Sequence, residues 1–355
     1  MTTTLTESEI LEEAARIHER KQLAALDEQF DEADQIRRNG VNDLIALNVT
    51  ANESDTPPDE FAGELRKLAS RLEAARMFFP DADALGQLRA EANRPEGFEL
   101  PDTWGLPGIK ILPGLPTMLG GYSGFGKSRT AINLVLDSIY KKRRILFFSV
   151  EMTPGQVWAA LIAQDVYRQT KEQMSRSKIL ELVRKDDPRA LDTIEYAREF
   201  LTVIDASQWK ASEVCAQFDA YANRREREPD IVFLDYLQIL TPEDPKLDRR
   251  LQIIDTMGLL TAKAKQSISA WVIVAQTNRQ SHKEGRGKAG DHSSFQESAA
   301  IEQNAALTIL IGRPEDEPYS IEINVSKNRF GPTTKRGKPH LCSLEEVTGF
   351  IENPL

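Results

Sequence analysis

Cysteine is scarce: the 355 residues hold only Cys215 and Cys342, far apart and without metal-ligand spacing. That argues against a disulfide framework or a zinc site and fits a reducing, cytoplasmic setting. Long apolar runs are missing as well. No stretch of about eighteen apolar residues occurs, so no membrane span is expected. The N-terminus, Met-Thr-Thr-Thr-Leu-Thr-Glu-Ser-Glu, lacks the basic start and apolar core of a secretory signal. Positive charge is in deficit, with 45 Lys and Arg against 55 Asp and Glu. A net charge of −10 argues against a protein that coats nucleic acid with its whole surface, while leaving room for a narrow basic channel. What remains is ordinary for a globular chain: 40% hydrophobic and 28% charged residues. The length accommodates one large domain with a substantial core, plus a smaller one.

Two regions read differently. Residues 6–38 predict one long helix, with Thr6 and Glu9 at capping-box spacing and Asn39-Gly40 as a stop. A polar break with Pro57-Pro58 follows. A second helix over about residues 60–79 carries Phe61, Leu65, Leu68, Leu72, Ala75 and Phe79 on one narrow stripe, ended by Pro80. The stripe is to be buried, either within a small helical N-terminal domain or against a neighbouring subunit. Pro95 to Pro107 is a Pro/Gly-rich connector, which divides the chain into a helical region 1–94 and a main domain 95–355. From Leu115 onward, short apolar strands alternate with amphipathic helices. Strands are expected at 116–120, 144–150, 201–204, 231–234, 270–275, 307–311 and 321–325, with helices at about 127–141, 154–168, 211–225 and 249–267. Continuous apolar strands separated by helices indicate an α/β fold with a mainly parallel sheet covered on both faces.

Three constellations carry chemistry. Gly121-Tyr-Ser-Gly124-Phe-Gly126-Lys127-Ser128 follows an apolar strand and opens a helix, the context a phosphate-binding P-loop requires. Its glycines let the backbone wrap phosphates, its N–H groups donate to them, Lys127 reaches the β and γ phosphates, and Ser128 holds Mg²⁺. Asp230-Ile-Val-Phe-Leu-Asp235 ends a buried strand in a carboxylate, where open α/β sheets bind ligands. Alone, Asp235 reads as a turn residue or helix cap; beside a P-loop it reads as a partner for the Mg²⁺ of Ser128. Ile145 to Val150 ends in Glu151, a candidate base for the attacking water, with an exposed loop charge as the other reading.

These residues, with others in the same order, resemble DnaB-type replicative helicases. The motifs are Ser149-Val-Glu151-Met152, Asp235-Tyr-Leu-Gln238, Ala275-Gln276-Thr-Asn278-Arg279, Glu297-Ser-x-x-Ile301-Glu-Gln303 and Lys327-Asn328-Arg329-Phe-Gly-Pro. The resemblance covers about residues 105–352. It implies a RecA-like motor core and an ATP-driven hexameric ring that translocates on single-stranded DNA and unwinds duplex. By that resemblance Glu151 matches the catalytic base, Asp235 the Walker B carboxylate and Gln276 the γ-phosphate sensor. Lys327 and Arg329 match the lysine and arginine finger that enter the next subunit's site, and Arg313 and Phe350 match positions flanking the adenine. Relatives place DNA-contacting loops in two regions that here carry Lys246, Arg249 and Arg250, and Lys283, Arg286 and Lys288. Neither loop contains an aromatic residue, so phosphate contact without base stacking is expected.

The sequence departs from the family in its short N-terminal region, which leaves primase and loader partners open. It departs again in the compressed Pro107-Gly-Ile-Lys-Ile-Leu-Pro-Gly stretch, which suits a phage, plasmid or mobile-element helicase. A RecA-type ATPase that couples ATP to assembly on DNA or protein without unwinding is the alternative reading, since fold alone does not fix function.

Overall fold

The computed structural model describes residues 67–68, 88–89, 91–277, 301, 304–314, 317–334 and 338–354. The chain divides into two units, Met1–Asn93 and Arg94–Leu355. The expected helix over 6–38 lies outside the described residues, as does the expected helix at 60–79 apart from Lys67 and Leu68. Those two are helical, and Leu68 is buried.

The larger unit is built on one nine-stranded sheet. Its strands are β3 (Pro116–Gly121), β4 (Ile145–Ser149), β5 (Leu201–Asp205), β6 (Ile231–Asp235), β7 (Ala270–Gln276), β8 (Leu307–Gly312), β9 (Ser320–Asn328), β10 (His340–Leu344) and β11 (Ile351–Glu352). A small antiparallel pair, β1 (Phe98–Glu99) and β2 (Lys110–Ile111), precedes it. The spatial order is β11-β10-β9-β8-β3-β7-β6-β4-β5. Strands from β8 to β5 in that order run parallel, and β9, β10 and β11 extend the sheet antiparallel.

Alternation along each parallel strand sorts side chains onto two faces. Phe147, Phe233, Val272 and Val274 face one side. There they meet α1 (Lys127–Tyr140) and α2 (Pro154–Thr170), and Phe147 stacks on Phe233 with centroids 5.8 Å apart. Leu146, Phe148, Leu234, Trp271 and Ile273 face the other, against α5 (Ala211–Arg225) and α6 (Arg249–Gln266). Two helices that the periodicity did not reveal, α3 (Arg176–Arg184) and α4 (Pro188–Ala197), bury Ile179, Leu182 and Ala190 against α2.

The Pro95–Pro107 stretch is not a free connector. Phe98, Leu100 and Trp104 are buried, and Trp104 is 0% exposed. Its indole N–H donates to Asn133 Oδ1 at 2.6 Å, and the Asn133 amide donates to Gln164 Oε1 at 3.3 Å. Gln164 in turn donates to the carbonyls of Arg129 and Gly349. A buried polar chain therefore ties this stretch to α1, α2 and the C-terminal hairpin, and each member is satisfied by the next. The same hairpin returns to the stretch directly, where the Asn353 N–H meets the Thr103 carbonyl and the Cys342 thiol lies 3.5 Å from the Trp104 carbonyl.

Candidate active site

Parallel register brings the motif residues to one edge of the sheet. Gly121 pairs with Gln276 across β3 and β7, and Ser149 pairs with Asp235 across β4 and β6. The carboxyl ends of four strands therefore open on a common cleft, as expected where adjacent strands diverge. Its volume is about 450 Å³, and its walls include Gly124, Gly126, Lys127, Ser128, Glu151, Gln276 and Arg313. Ser123, Arg129, Met152 and Tyr236 also line it. Ser123, Met152 and Tyr236 belong to the motifs without a role assigned to them, and Arg129, one residue past the P-loop, carries no signature of its own.

The loop geometry follows from its glycines. Gly126 sits at φ +92°, a left-handed conformation that glycine adopts at little cost, and α1 begins at the next residue. That helix starts without a side-chain cap and has no acidic residue in its first turn. Its positive end is thus left for an anion. Gly121 is required for a different reason: a Cβ there would stand 2.6 Å from Ile311 Cγ1 and 3.2 Å from Lys127 Cγ.

The charges at the cleft are unusual. Asp235 is 1% exposed, and among the described residues no hydrogen-bond partner reaches either carboxylate oxygen. Burial, with the nearby Glu151 charge adding to it, pushes its pKa up to about 6. The Ser128 hydroxyl and Lys127 pull the other way, although the hydroxyl does not reach hydrogen-bond geometry. Burial lowers the Lys127 pKa, while Asp235 and Glu151 raise it. Its ammonium donates to the Tyr122 carbonyl at 3.1 Å. A bare buried carboxylate beside a serine hydroxyl is a costly arrangement without a cation, and the oxygen donors suit Mg²⁺. No group of three or more His, Cys, Asp or Glu side chains gathers among the described residues. A metal here would accordingly lean on Ser128, Asp235 and the oxygens of its own ligand.

Arg313 lines the cleft from the end of β8. It donates to the Pro318 carbonyl and pairs with Glu346 at 3.7 Å, and burial lowers its pKa. Phe350 does not join it. The ring is 3% exposed, packs against Tyr167 at 5.6 Å under the Lys171 ammonium, and forms no part of the cleft wall. The aromatic packs in the core, apart from the cleft wall that Arg313 lines.

Residues 113–350 match the family model of the DnaB-like helicase C terminal domain, well over half of the chain. The chain belongs to this family. Among curated relatives it is 26% identical over 238 residues to a "Probable plasmid replicative DNA helicase" of Chlamydia muridarum, covering 67% of this chain and 50% of that one. It is 28% identical over 222 residues to "Replicative DNA helicase DnaB" of Buchnera aphidicola, covering 58% and 46%. The chain thus spans about half the length of the curated relatives it matches. In fold it resembles the solved "Structure Of A DnaB-Like Replicative Helicase And Its Interactions With Primase", with TM-score 0.66, 17% identity, and coverage of 94% and 78%. It also resembles the "ATPase Domain of G40P", with TM-score 0.62, 17% identity, and coverage of 78% and 99%. The core of this DnaB-like domain is RecA-like, as the sequence predicts.

The domain keeps Lys327 and Arg329 away from its own cleft. In the sheet Gly121 pairs with Ile311, and Ile311 with Ile323 of the antiparallel β9. Asn328 pairs instead with Leu307, at the opposite end of β8. Four steps along β8 separate the two levels, about 13 Å at about 3.3 Å per residue, and a bulge in β9 takes up its extra residue. Lys327 is half-buried and Arg329 exposed at that far end. Lys246 and Arg250 are exposed at the start of α6. Arg249, exposed beside them, donates to the Gln238 carbonyl. Lys283, Arg286 and Lys288 lie outside the described residues. No helix among the described residues is long and apolar enough to cross a membrane.

Proposed function

We propose that this DnaB-like domain is the motor of an ATP-dependent ring helicase that hydrolyses ATP at subunit interfaces, moves along single-stranded DNA and unwinds duplex in replication. The observation that carries the reading is the cleft in which a P-loop, Glu151 and Gln276 converge beside the buried Asp235 carboxylate, which meets no hydrogen-bond partner among the described residues. Backbone N–H groups at the start of α1 hold the β and γ phosphates, and Lys127 leaves the Tyr122 carbonyl to join them. Ser128 and Asp235 would hold Mg²⁺, which would supply positive charge against the phosphate oxygens. Glu151, exposed at the cleft mouth, takes the proton of the attacking water, and Gln276 contacts the γ phosphate.

The far position of Lys327 and Arg329 supports their action on a neighbour. A strand end about 13 Å along the sheet from the P-loop level, and turned away from it, is poorly placed to serve its own cleft. It can meet a second copy arranged head to tail, and six such contacts closing on themselves give a hexamer. Lys246 and Arg250, with Lys283, Arg286 and Lys288, would then line the pore and contact DNA phosphates, with no sequence readout. A primase or loader would be a further partner, and the setting would be the cytoplasm, at replicating DNA.

Strand displacement on a forked duplex tests the reading with wild type, Lys127→Ala and Arg329→Ala. Unwinding by wild type alone is expected. DNA-stimulated hydrolysis without displacement on either fork polarity would instead make the chain an ATPase that couples nucleotide to assembly.

A further inference from the structure

β6 ends at Asp235 and pairs with β7 only as far as Ile273, so the last residues of β7 have no strand on that side. A glutamine side chain takes its place. Leu237–Ile239 forms a short 3₁₀ turn just beyond Asp235, and from it Gln238 reaches back to β7. Gln238 Oε1 accepts the Gln276 N–H at 3.0 Å, while Gln238 Nε2 donates to the Gln276 carbonyl at 3.0 Å. Both backbone groups of Gln276, the residue whose side chain enters the cleft, are thereby held by one amide.

The backbone of Gln238 is held in turn from the basic segment. Arg249, the first residue of α6, donates to the Gln238 carbonyl. The turn leading into that helix is closed by Asp248, which caps α6 by accepting from the Leu251 N–H. It is closed further by Gln252, whose amide donates to the Leu247 carbonyl at 2.8 Å. Lys246 and Arg250 stand exposed on either side of Asp248. A continuous run of directed bonds therefore joins a cationic surface segment to Gln276: Arg249 to the Gln238 carbonyl, and the Gln238 amide to the Gln276 backbone.

We propose that Gln238 is a positioning residue that sets where Gln276 stands in the cleft, and that its link to Arg249 makes this setting respond to the phosphates of a single strand bound at Lys246 and Arg250. This rests on the helicase reading above and adds its regulation. A strand that draws the 246–250 segment outward moves the Gln238 turn with it, and the two-point clamp transmits the displacement to Gln276. The coupling is reciprocal: nucleotide that engages Gln276 changes the hold on the strand by the same factor.

The test uses the full chain with Gln238→Met, which matches the side chain in length but forms neither bond. It also uses Gln238→Glu, which still accepts from the Gln276 N–H but cannot donate to its carbonyl. Steady-state ATP hydrolysis is measured with and without an oligo-dT single strand, and melting temperatures are recorded. In Gln238→Met, kcat with the strand is expected to fall about tenfold or more, with KM for ATP within about twofold of wild type. The stimulation ratio should collapse towards one, and Gln238→Glu should lie between the two. Wild-type stimulation in Gln238→Met overturns the proposal. So does a parallel loss of kcat, KM and melting temperature, which marks a merely structural contact. If wild type hydrolyses no ATP, the helicase reading falls, and the coupling is read instead as the shift in affinity for a fluorescent ATP analogue caused by oligo-dT. A wild-type shift lost in Gln238→Met supports the proposal. A shift that persists in that variant, or is absent from wild type, overturns it.

Discussion

Replacing Asp235 with asparagine should stabilise the nucleotide-free protein while destroying its response to Mg²⁺ and nucleotide. Asp235 is 1% exposed, without a hydrogen-bond partner among the described residues, and its pKa is raised from 3.8 to about 6. Because the folded value lies above the unfolded one, the native state holds the proton more tightly between them. Stability from this group is therefore complete below about pH 4 and is lost as pH rises through about 6. At about 1.4 kcal/mol for each pH unit separating the two values, the ionised carboxylate costs the fold about 3 kcal/mol at neutral pH. An uncharged amide carries no such cost, so Asp235→Asn should melt about 6–12 °C higher at pH 8 in EDTA. The advantage should vanish by about pH 4. Differential scanning calorimetry across that range measures it. Adding Mg²⁺ with a non-hydrolysable ATP analogue should then raise the melting temperature of wild type and leave the variant nearly unmoved. Equal melting temperatures at pH 8, or an advantage that does not change with pH, would refute the account of Asp235 as a strained carboxylate awaiting a cation.

Gly121→Ala places a methyl 2.6 Å from Ile311 Cγ1 and crowds Lys127, so it should destabilise by about 1–3 kcal/mol in urea. Nucleotide binding should weaken alongside, as a fluorescent ATP titration would report. Asn133→Leu leaves the Trp104 indole N–H and the Gln164 amide oxygen unpaired in the core. A loss of about 2 kcal/mol or more is expected by chemical denaturation, with nucleotide affinity little changed. Arg329→Ala and Glu151→Gln should each lose hydrolysis about 10³-fold, whereas mixing them should restore a measurable fraction through interfaces that combine an intact Glu151 with an intact Arg329. No recovery on mixing would place both groups' effects within one chain.

The parallel half of the sheet was legible because β3, β4, β6, β7 and β8 are short, nearly continuous apolar runs that end in chemically distinctive residues. What escaped did so for physical reasons. The helices α3 and α4 bury few side chains, and the charged run from Arg184 to Asp187 between them reads as a break. Even so, Ser175 and Asp187 before them both serve as N-caps and could have marked their starts. β10 is only partly buried, and β9 opens on an apolar run like those of the parallel strands, so the antiparallel turn that carries Arg329 to the far end could not be read. Phe350 follows Gly349 in a context that gives no sign of whether the ring is exposed. Gln238 was visible only as one letter of a motif, since a side chain that substitutes for a missing strand is a tertiary fact.

The hydrogen bond between Asn353 and Thr103 has a topological consequence. The last strand added to the sheet is tied to the segment that precedes the first one, so the two ends of this stretch of chain clasp each other. Neither can fray without loosening the other, and a cut after Glu352 should free the Phe98–Trp104 segment as well as the C-terminal strand.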